Sequence, residues 1–99
     1  MVGLRVIWST RGSNQLKKSL KDLKEKSPTA ALKVKSEILK TTRELSKNPE
    51  IYSLDRFKKN NDGTIRAFEK YSYRVAYQVE KTQVVILRVR HTSRSPLEY

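Results

Sequence analysis

Residues 71–90 read YSYRVAYQVEKTQVVILRVR, and they contain the pattern that decides the fold. The apolar run VVILRVR, residues 84–90, predicts a strand. Before it, every second residue is apolar, namely Tyr73, Val75, Tyr77 and Val79. Such alternation is typical of a strand with one buried face. Only EKTQ separates the two patterns, which is short enough for an antiparallel hairpin. The stretch therefore predicts the centre of a β-sheet.

Two further strands are predicted upstream of this hairpin. The segment TIRAFEK, residues 64–70, follows the turn signal Asp62-Gly63 and predicts a strand beside the hairpin. The segment LRVIWS, residues 4–9, predicts a first strand, in which Leu4, Val6 and Trp8 share one side. Residues 50–63 between these strands read as a polar connection.

Two helices are predicted after the first strand. In QLKKSLKDLKEK, residues 15–26, leucines recur at positions i, i+4 and i+7, which places them on one helix face. Ser27 followed by Pro28 is a helix-start signal, and it predicts a second helix over about residues 28–47. The intervening STRGSN, residues 9–14, predicts a turn.

The predicted order is therefore β-α-α-β-β-β, an α+β fold in which residues 1–99 form a single domain. Helices of this kind cannot bury their apolar stripes alone. We therefore expect a two-helix hairpin packed on one face of a mainly antiparallel sheet, with the other face partly open.

Charge is the strongest compositional signal. Lys and Arg number 22 against 10 for Asp and Glu, a formal net charge of +12. This excess predicts a polyanionic or acidic partner, and a basic surface that only confers solubility is the alternative. The chain has no Cys, which excludes disulfides and thiolate metal sites. The sequence shows neither a signal peptide nor a stretch of about 20 apolar residues, so we expect a cytoplasmic protein without a membrane partner.

Charged residues of the predicted sheet indicate phosphate chemistry. Arg74 has the opposite parity to its apolar neighbours and is expected on the open face, and hairpin pairing is expected to bring it near His91. Histidine transfers protons near neutral pH, and arginine holds phosphate through two donors. The candidate catalytic set is His91, Arg74, Arg94 and Tyr99.

A second set predicts RNA or phosphate binding: Arg66, Lys58, Lys59, Arg88 and Arg90. The lysine pair fits a solvated loop equally well, and a structural role is the alternative for His91. The sequence contains no phosphate-binding loop, dinucleotide fingerprint or zinc-ligand spacing, so neither a metal nor a cofactor is expected.

The segments YRVAYQV and VVILRVRHTSR, residues 73–79 and 84–94, resemble the C-terminal half of the RelE/ParE superfamily. These proteins are the toxins of type II toxin–antitoxin modules, and the first strand and the helical hairpin are also similar to that superfamily. The resemblance implies a toxin that inhibits growth and is held inactive by a cognate acidic antitoxin.

The superfamily has two activities. RelE-like members cut mRNA on the ribosome, whereas ParE-like members poison DNA gyrase and lack the nuclease residues. Arg74 matches an arginine of the nuclease pattern, His91 matches a strand-end acid or base, and Arg94 and Tyr99 resemble positions of the nuclease tail. The nuclease lysine pair has no match, since IRAFE supplies only Arg66, and Glu69 is the nearest candidate for a glutamate base.

These matches favour a metal-independent endoribonuclease that acts on ribosome-bound mRNA, with His91 as the acid. Two alternatives stay open. One is gyrase inhibition without nuclease activity, and the other is a decayed toxin that only binds its antitoxin.

Overall fold

All six predicted elements occur in the predicted order in a computed structural model, which describes residues 3–94 and 97–99. This confirms the α+β prediction. The elements are β1 (Arg5–Trp8), α1 (Thr10–Lys26), α2 (Pro28–Glu44), β2 (Ile65–Lys70), β3 (Tyr73–Val79) and β4 (Gln83–His91).

The four strands form one sheet in the order β1-β4-β3-β2. The pairs β2–β3 and β3–β4 are antiparallel, as predicted, and β1 lies parallel to β4. Because β1 pairs only with Gln83–Ile86, no strand within residues 3–94 and 97–99 lies beside the second half of β4 on that side. Helix α1 lies along this part, where Gln15 Oε1 accepts a hydrogen bond of 2.8 Å from the Val89 N–H. The side chain of Gln15 thus accepts a backbone hydrogen bond that a neighbouring strand would otherwise accept.

Both helices pack on the same face of the sheet, which confirms the predicted layering. Neither helix of the described ranges has the length and apolar character needed to cross a membrane. The core joins apolar side chains of the helical hairpin to those of three strands: Leu16, Val34, Ile38, Leu45, Phe68, Tyr73, Val75, Tyr77, Val84, Ile86 and Val89.

The turn predicted over residues 9–14 is wrong, because α1 already begins at Thr10. Ser9 is the N-cap, whose Oγ accepts a 3.0 Å hydrogen bond from the Gly12 N–H and donates one of 3.0 Å to the Leu87 carbonyl. A Cβ on Gly12 would lie 2.8 Å from the Ile86 carbonyl oxygen. The serine and glycine that resemble a turn therefore allow the start of α1 to approach β4 closely.

A β-bulge in β4 determines which of its side chains face the helices. Ala76 pairs with Arg88, but the next residue, Tyr77, pairs with Ile86, so β4 has one extra residue. Before the bulge, Val84 and Ile86 are buried in the core; after it, Val89 is buried there. The bulge therefore moves Arg88 and Arg90 to the face that the helices leave open.

Candidate functional site

The predicted catalytic residues lie on two different faces of the sheet. Arg74 pairs with Arg90, and Tyr73 pairs with His91. The Tyr73 ring is buried in the core and contacts the His91 ring edge-on, with 5.1 Å between ring centroids. Arg74 and His91 are neighbours along the strands, but successive side chains point to opposite faces. The hairpin thus brings the two residues to neighbouring positions, as expected, but on opposite faces, and the catalytic role of each stays a prediction.

On the open face, Arg74 is held by two carboxylates. Its Nη2 donates a hydrogen bond of 2.8 Å to Asp55, and its Nη1 donates one of 2.7 Å to Glu69. The Phe57 ring covers the guanidinium, with 4.7 Å between its centroid and Cζ. Burial alone lowers the pKa of Arg74, but the bonds to both carboxylates raise it above its ordinary value. Arg74 therefore keeps its charge and uses two of its donors within the protein.

Asp55 is the centre of this arrangement and is only 2% exposed. Besides Arg74, it accepts hydrogen bonds from the Tyr99 hydroxyl at 2.6 Å and from the Phe57 N–H at 3.0 Å. Burial favours a higher pKa, but the bonds from Tyr99, Arg74 and Phe57 lower the pKa of Asp55 below its ordinary value. Sequence reasoning missed this residue, because an acid in the polar connection of residues 50–63 resembles a solvated loop residue.

The C-terminal residues close over the same face. The Tyr99 N–H donates to the Phe57 carbonyl at 3.0 Å, and the Lys59 N–H donates to the Tyr99 carbonyl at 2.7 Å. The Arg88 Cζ lies 4.0 Å from the centroid of the Tyr99 ring, and the Lys58 Nζ lies 5.5 Å from the same centroid. Burial and the bond to Asp55 raise the pKa of Tyr99, so its hydroxyl stays a donor.

We call this group the Arg74 cluster: Asp55, Phe57, Glu69, Arg74, Arg88 and Tyr99. The cavity that remains beneath the tail has a volume of about 10 Å³. That volume is about the space needed for one water molecule, so the closed cluster has no room for a phosphate group.

Two other phosphate-binding candidates, Arg66 and Lys59, also have partners within the protein. Arg66 donates a 2.7 Å hydrogen bond to the Tyr52 carbonyl and lies 3.7 Å from the Glu50 carboxylate. Lys59 lies 3.8 Å from the exposed carboxylate of Glu98. These contacts hold the connection of residues 50–63 and the tail against the sheet.

On the helix side, His91 lines an open groove between α1 and the end of β4. Its Nδ1 accepts a 3.1 Å hydrogen bond from the Ser93 N–H, so in the neutral ring the proton is on Nε2. Two cavities of about 240 and 330 Å³ share Ser19, His91 and Arg94. We call them together the His91 groove, lined by Gln15, Lys18, Ser19, Asp22, Leu23, Lys26, Tyr73, Val89, Arg90, His91, Ser93 and Arg94.

A metal centre is not evident in either place. Within residues 3–94 and 97–99, no group of three or more His, Cys, Asp or Glu side chains could hold a metal ion.

Acid should weaken the fold through Asp55. Because the folded pKa is lowered, the charged carboxylate contributes stability that is fully present above about pH 4 and is lost as the pH falls through the folded pKa. The variant Asp55→Asn lacks this titration. The difference in free energy of unfolding between wild type and Asp55→Asn, measured by urea denaturation, should therefore shrink from about pH 7 to about pH 3. A constant difference over that interval would contradict the assignment.

Solved structures with similar folds include two toxin–antitoxin systems. A chain of the chromosomal ParDE system from P. aeruginosa has a TM-score of 0.71 and 15% identity, with 91% of this chain and 97% of that chain covered. A chain of the RelBE2 complex from Mycobacterium tuberculosis has a TM-score of 0.61 and 22% identity, with 95% and 97% covered. At these identities the likeness establishes the fold. The curated proteins contain no match.

The sequence itself matches a family model over nearly its whole length. Residues 6–96 match the family described as ParE toxin of type II toxin-antitoxin system, parDE. The superfamily resemblance seen in the strands is thereby confirmed. This chain belongs to the ParE toxin family of type II toxin–antitoxin systems.

Proposed function

We propose that this toxin stops growth as a ParE-like inhibitor of DNA gyrase and does not cleave RNA. The observation that carries the proposal is the closed Arg74 cluster. A nuclease arginine must present its donors to a phosphate, whereas Arg74 donates to Asp55 and Glu69. Tyr99, which the nuclease hypothesis includes in the catalytic set, donates its hydroxyl proton to Asp55 at 2.6 Å.

Binding RNA in this place would require several contacts to break together. The phosphate would have to displace a buried carboxylate from Arg74 and move the Tyr99 ring away from Arg88. Removing one partner of a buried ion pair typically costs about 3–5 kcal/mol. An inhibitor that acts by binding a protein needs no such opening, and the match to the ParE family supports this class.

We infer that an acidic antitoxin holds the toxin inactive in the bacterial cytoplasm. Both similar structures come from toxin–antitoxin systems. A net charge of +12 suits an acidic partner, since complementary charge speeds association and excludes like-charged partners.

The second candidate function is metal-independent cleavage of ribosome-bound mRNA, and the His91 groove favours it. His91 Nε2 is the ring nitrogen left for a substrate, and the exposed side chain of Arg94 lines the same cavities. In this alternative His91 would protonate the leaving 5′-oxygen and Arg94 would stabilise the charged phosphate. Arg74 and Tyr99 lie on the other face and would not take part.

The variant His91→Ala separates the two functions. We expect it to stop growth as wild type does, because a gyrase inhibitor needs no proton transfer. Cells should contain double-strand DNA breaks, purified gyrase should linearise plasmid in the presence of either protein, and ribosome-bound mRNA should stay intact. Co-expression of the adjacent antitoxin gene should restore growth in both cases.

The opposite result would support the nuclease. Cleavage of ribosome-bound mRNA by wild type, reduced about 10²–10⁴-fold in His91→Ala, would overturn the proposal. Ser93→Ala is a matched control, because it removes the hydroxyl beside Nδ1 and keeps the imidazole and the backbone N–H.

A further inference from the structure

We propose that the His91 groove binds the phosphate backbone of double-stranded DNA. This goes beyond inhibition of gyrase, because it gives the toxin an affinity for DNA of its own. The inference depends on where the basic charge is left without internal partners, on which hydrogen-bonding groups line the groove, and on how few aromatic rings are open there.

Two cations of the His91 groove lack the carboxylate partners that Arg74 has on the open face. On the open face, Arg74 lies against the carboxylates of Asp55 and Glu69. Within the described ranges, by contrast, Lys18 and Arg94 form no ion pair with a carboxylate. Asp22 is the acid that lines the groove, at the end nearest Lys26. Lys18 and Arg94 therefore leave positive charge without an internal partner where α1 meets the end of β4.

The hydrogen-bonding groups of the groove are mainly donors. Gln15 uses its Oε1 to accept from Val89, which leaves its amide N–H groups for a ligand. His91 uses its Nδ1 to accept from Ser93, which leaves Nε2–H. Together with the cations of Lys18 and Arg94, these groups suit an acceptor-rich anion, and phosphate oxygens only accept.

The shape and the aromatic content favour duplex DNA over single strands. The two cavities are contiguous, so the groove offers a track along α1 for successive phosphates. Proteins bind single-stranded nucleic acids by stacking bases on exposed aromatic rings. Tyr73 lines the groove but is only 8% exposed and packs against His91. Backbone contacts without stacking are typical of non-specific duplex binding.

The test is fluorescence anisotropy with a labelled DNA duplex of about two helical turns, measured over a series of salt concentrations. The groove variant is Lys18→Glu with Arg94→Glu. Its control is Arg5→Glu with Lys81→Glu, which changes the charge equally at exposed positions at the opposite end of β4. A milder pair, Lys18→Gln with Arg94→Gln, maintains the test if the charge reversal prevents folding.

We expect wild type to bind with a dissociation constant of roughly 10⁻⁴–10⁻⁶ M at physiological salt. The groove variant should lose at least about tenfold in affinity. A plot of the logarithm of its binding constant against the logarithm of salt concentration should be less steep, by about 0.9 for each phosphate contact removed. The control should lose less than about threefold, since only long-range charge changes.

Three results would overturn the proposal. The first is an absence of duplex binding by wild type, and the second is an equal loss in groove and control variants. The third is stronger competition by single-stranded RNA or by polyglutamate than by unlabelled duplex. Gyrase is absent from this experiment, so its outcome is independent of the proposed function.

Discussion

Asp55→Ala is expected to lower the free energy of unfolding by about 3–5 kcal/mol. The carboxylate is 2% exposed and accepts from Arg74, Tyr99 and the Phe57 backbone. Its loss leaves a half-buried guanidinium with Glu69 alone and removes the acceptor of the Tyr99 hydroxyl. A loss of about 3 kcal/mol corresponds to a fall in Tm of more than about 10 °C for a domain of this size.

Glu69→Ala is the matched control, because it removes the other carboxylate from the same arginine. The Glu69 side chain is 46% exposed, so its loss should cost less than about 1 kcal/mol. Urea denaturation of wild type and both variants measures the two effects. Equal losses in the two variants would show that Asp55 does not organise the cluster.

Tyr77→Ala is expected to cost about 3–5 kcal/mol, the range for removing a large aromatic side chain from a core. Tyr77 is fully buried, and its ring lies 6.5 Å from that of Phe68 between centroids. Its hydroxyl donates to the Pro49 carbonyl at 2.8 Å, and burial raises its pKa to about 12, so it stays a donor. The residue thus joins β3 to the connection that supplies Asp55.

Two controls divide this effect into its parts. Tyr77→Phe keeps the ring and should cost about 1–3 kcal/mol, the penalty for a buried acceptor without its donor. Tyr71→Ala removes a ring that is 49% exposed and should cost at most about 1 kcal/mol. Chemical denaturation of the three variants gives these values. A loss in Tyr77→Ala no greater than in Tyr71→Ala would contradict the core assignment.

The spacing of apolar residues along the sequence was sufficient to predict the helices, the strands and the packing of both helices on one face of the sheet. Apolar residues alternate with polar ones in residues 73–79, and leucines recur at helical spacing in α1. Both patterns arise because one face of the element is buried in the core. The start of α1 was not predictable in the same way. Gly12 resembles a turn residue, and its true role depends on the carbonyl of a strand far away in sequence.

The candidate site was predicted less well, for two physical reasons. The run VVILRVR has apolar residues at both parities, so a bulge at Leu87 leaves no trace in the pattern, although it decides where Arg88 and Arg90 point. Asp55 lies in a connection without periodicity, and its burial depends on contacts with Arg74 and with Tyr99, which is 44 residues away. Long-range partners of this kind are not encoded in local spacing.

The strand order β1-β4-β3-β2 also has a consequence for how the toxin is made. Both β1 and β3 pair with β4, which the ribosome synthesises after the two helices and the other three strands. The contact between Ser9 and Leu87 spans 78 residues, so the first strand must wait for the last one. Because translation adds about 5–20 residues per second, the apolar face of the helical hairpin stays uncovered for seconds before the sheet can form. A chain interrupted before Gln83 lacks the strand that joins β1 to β3, so we expect it not to fold.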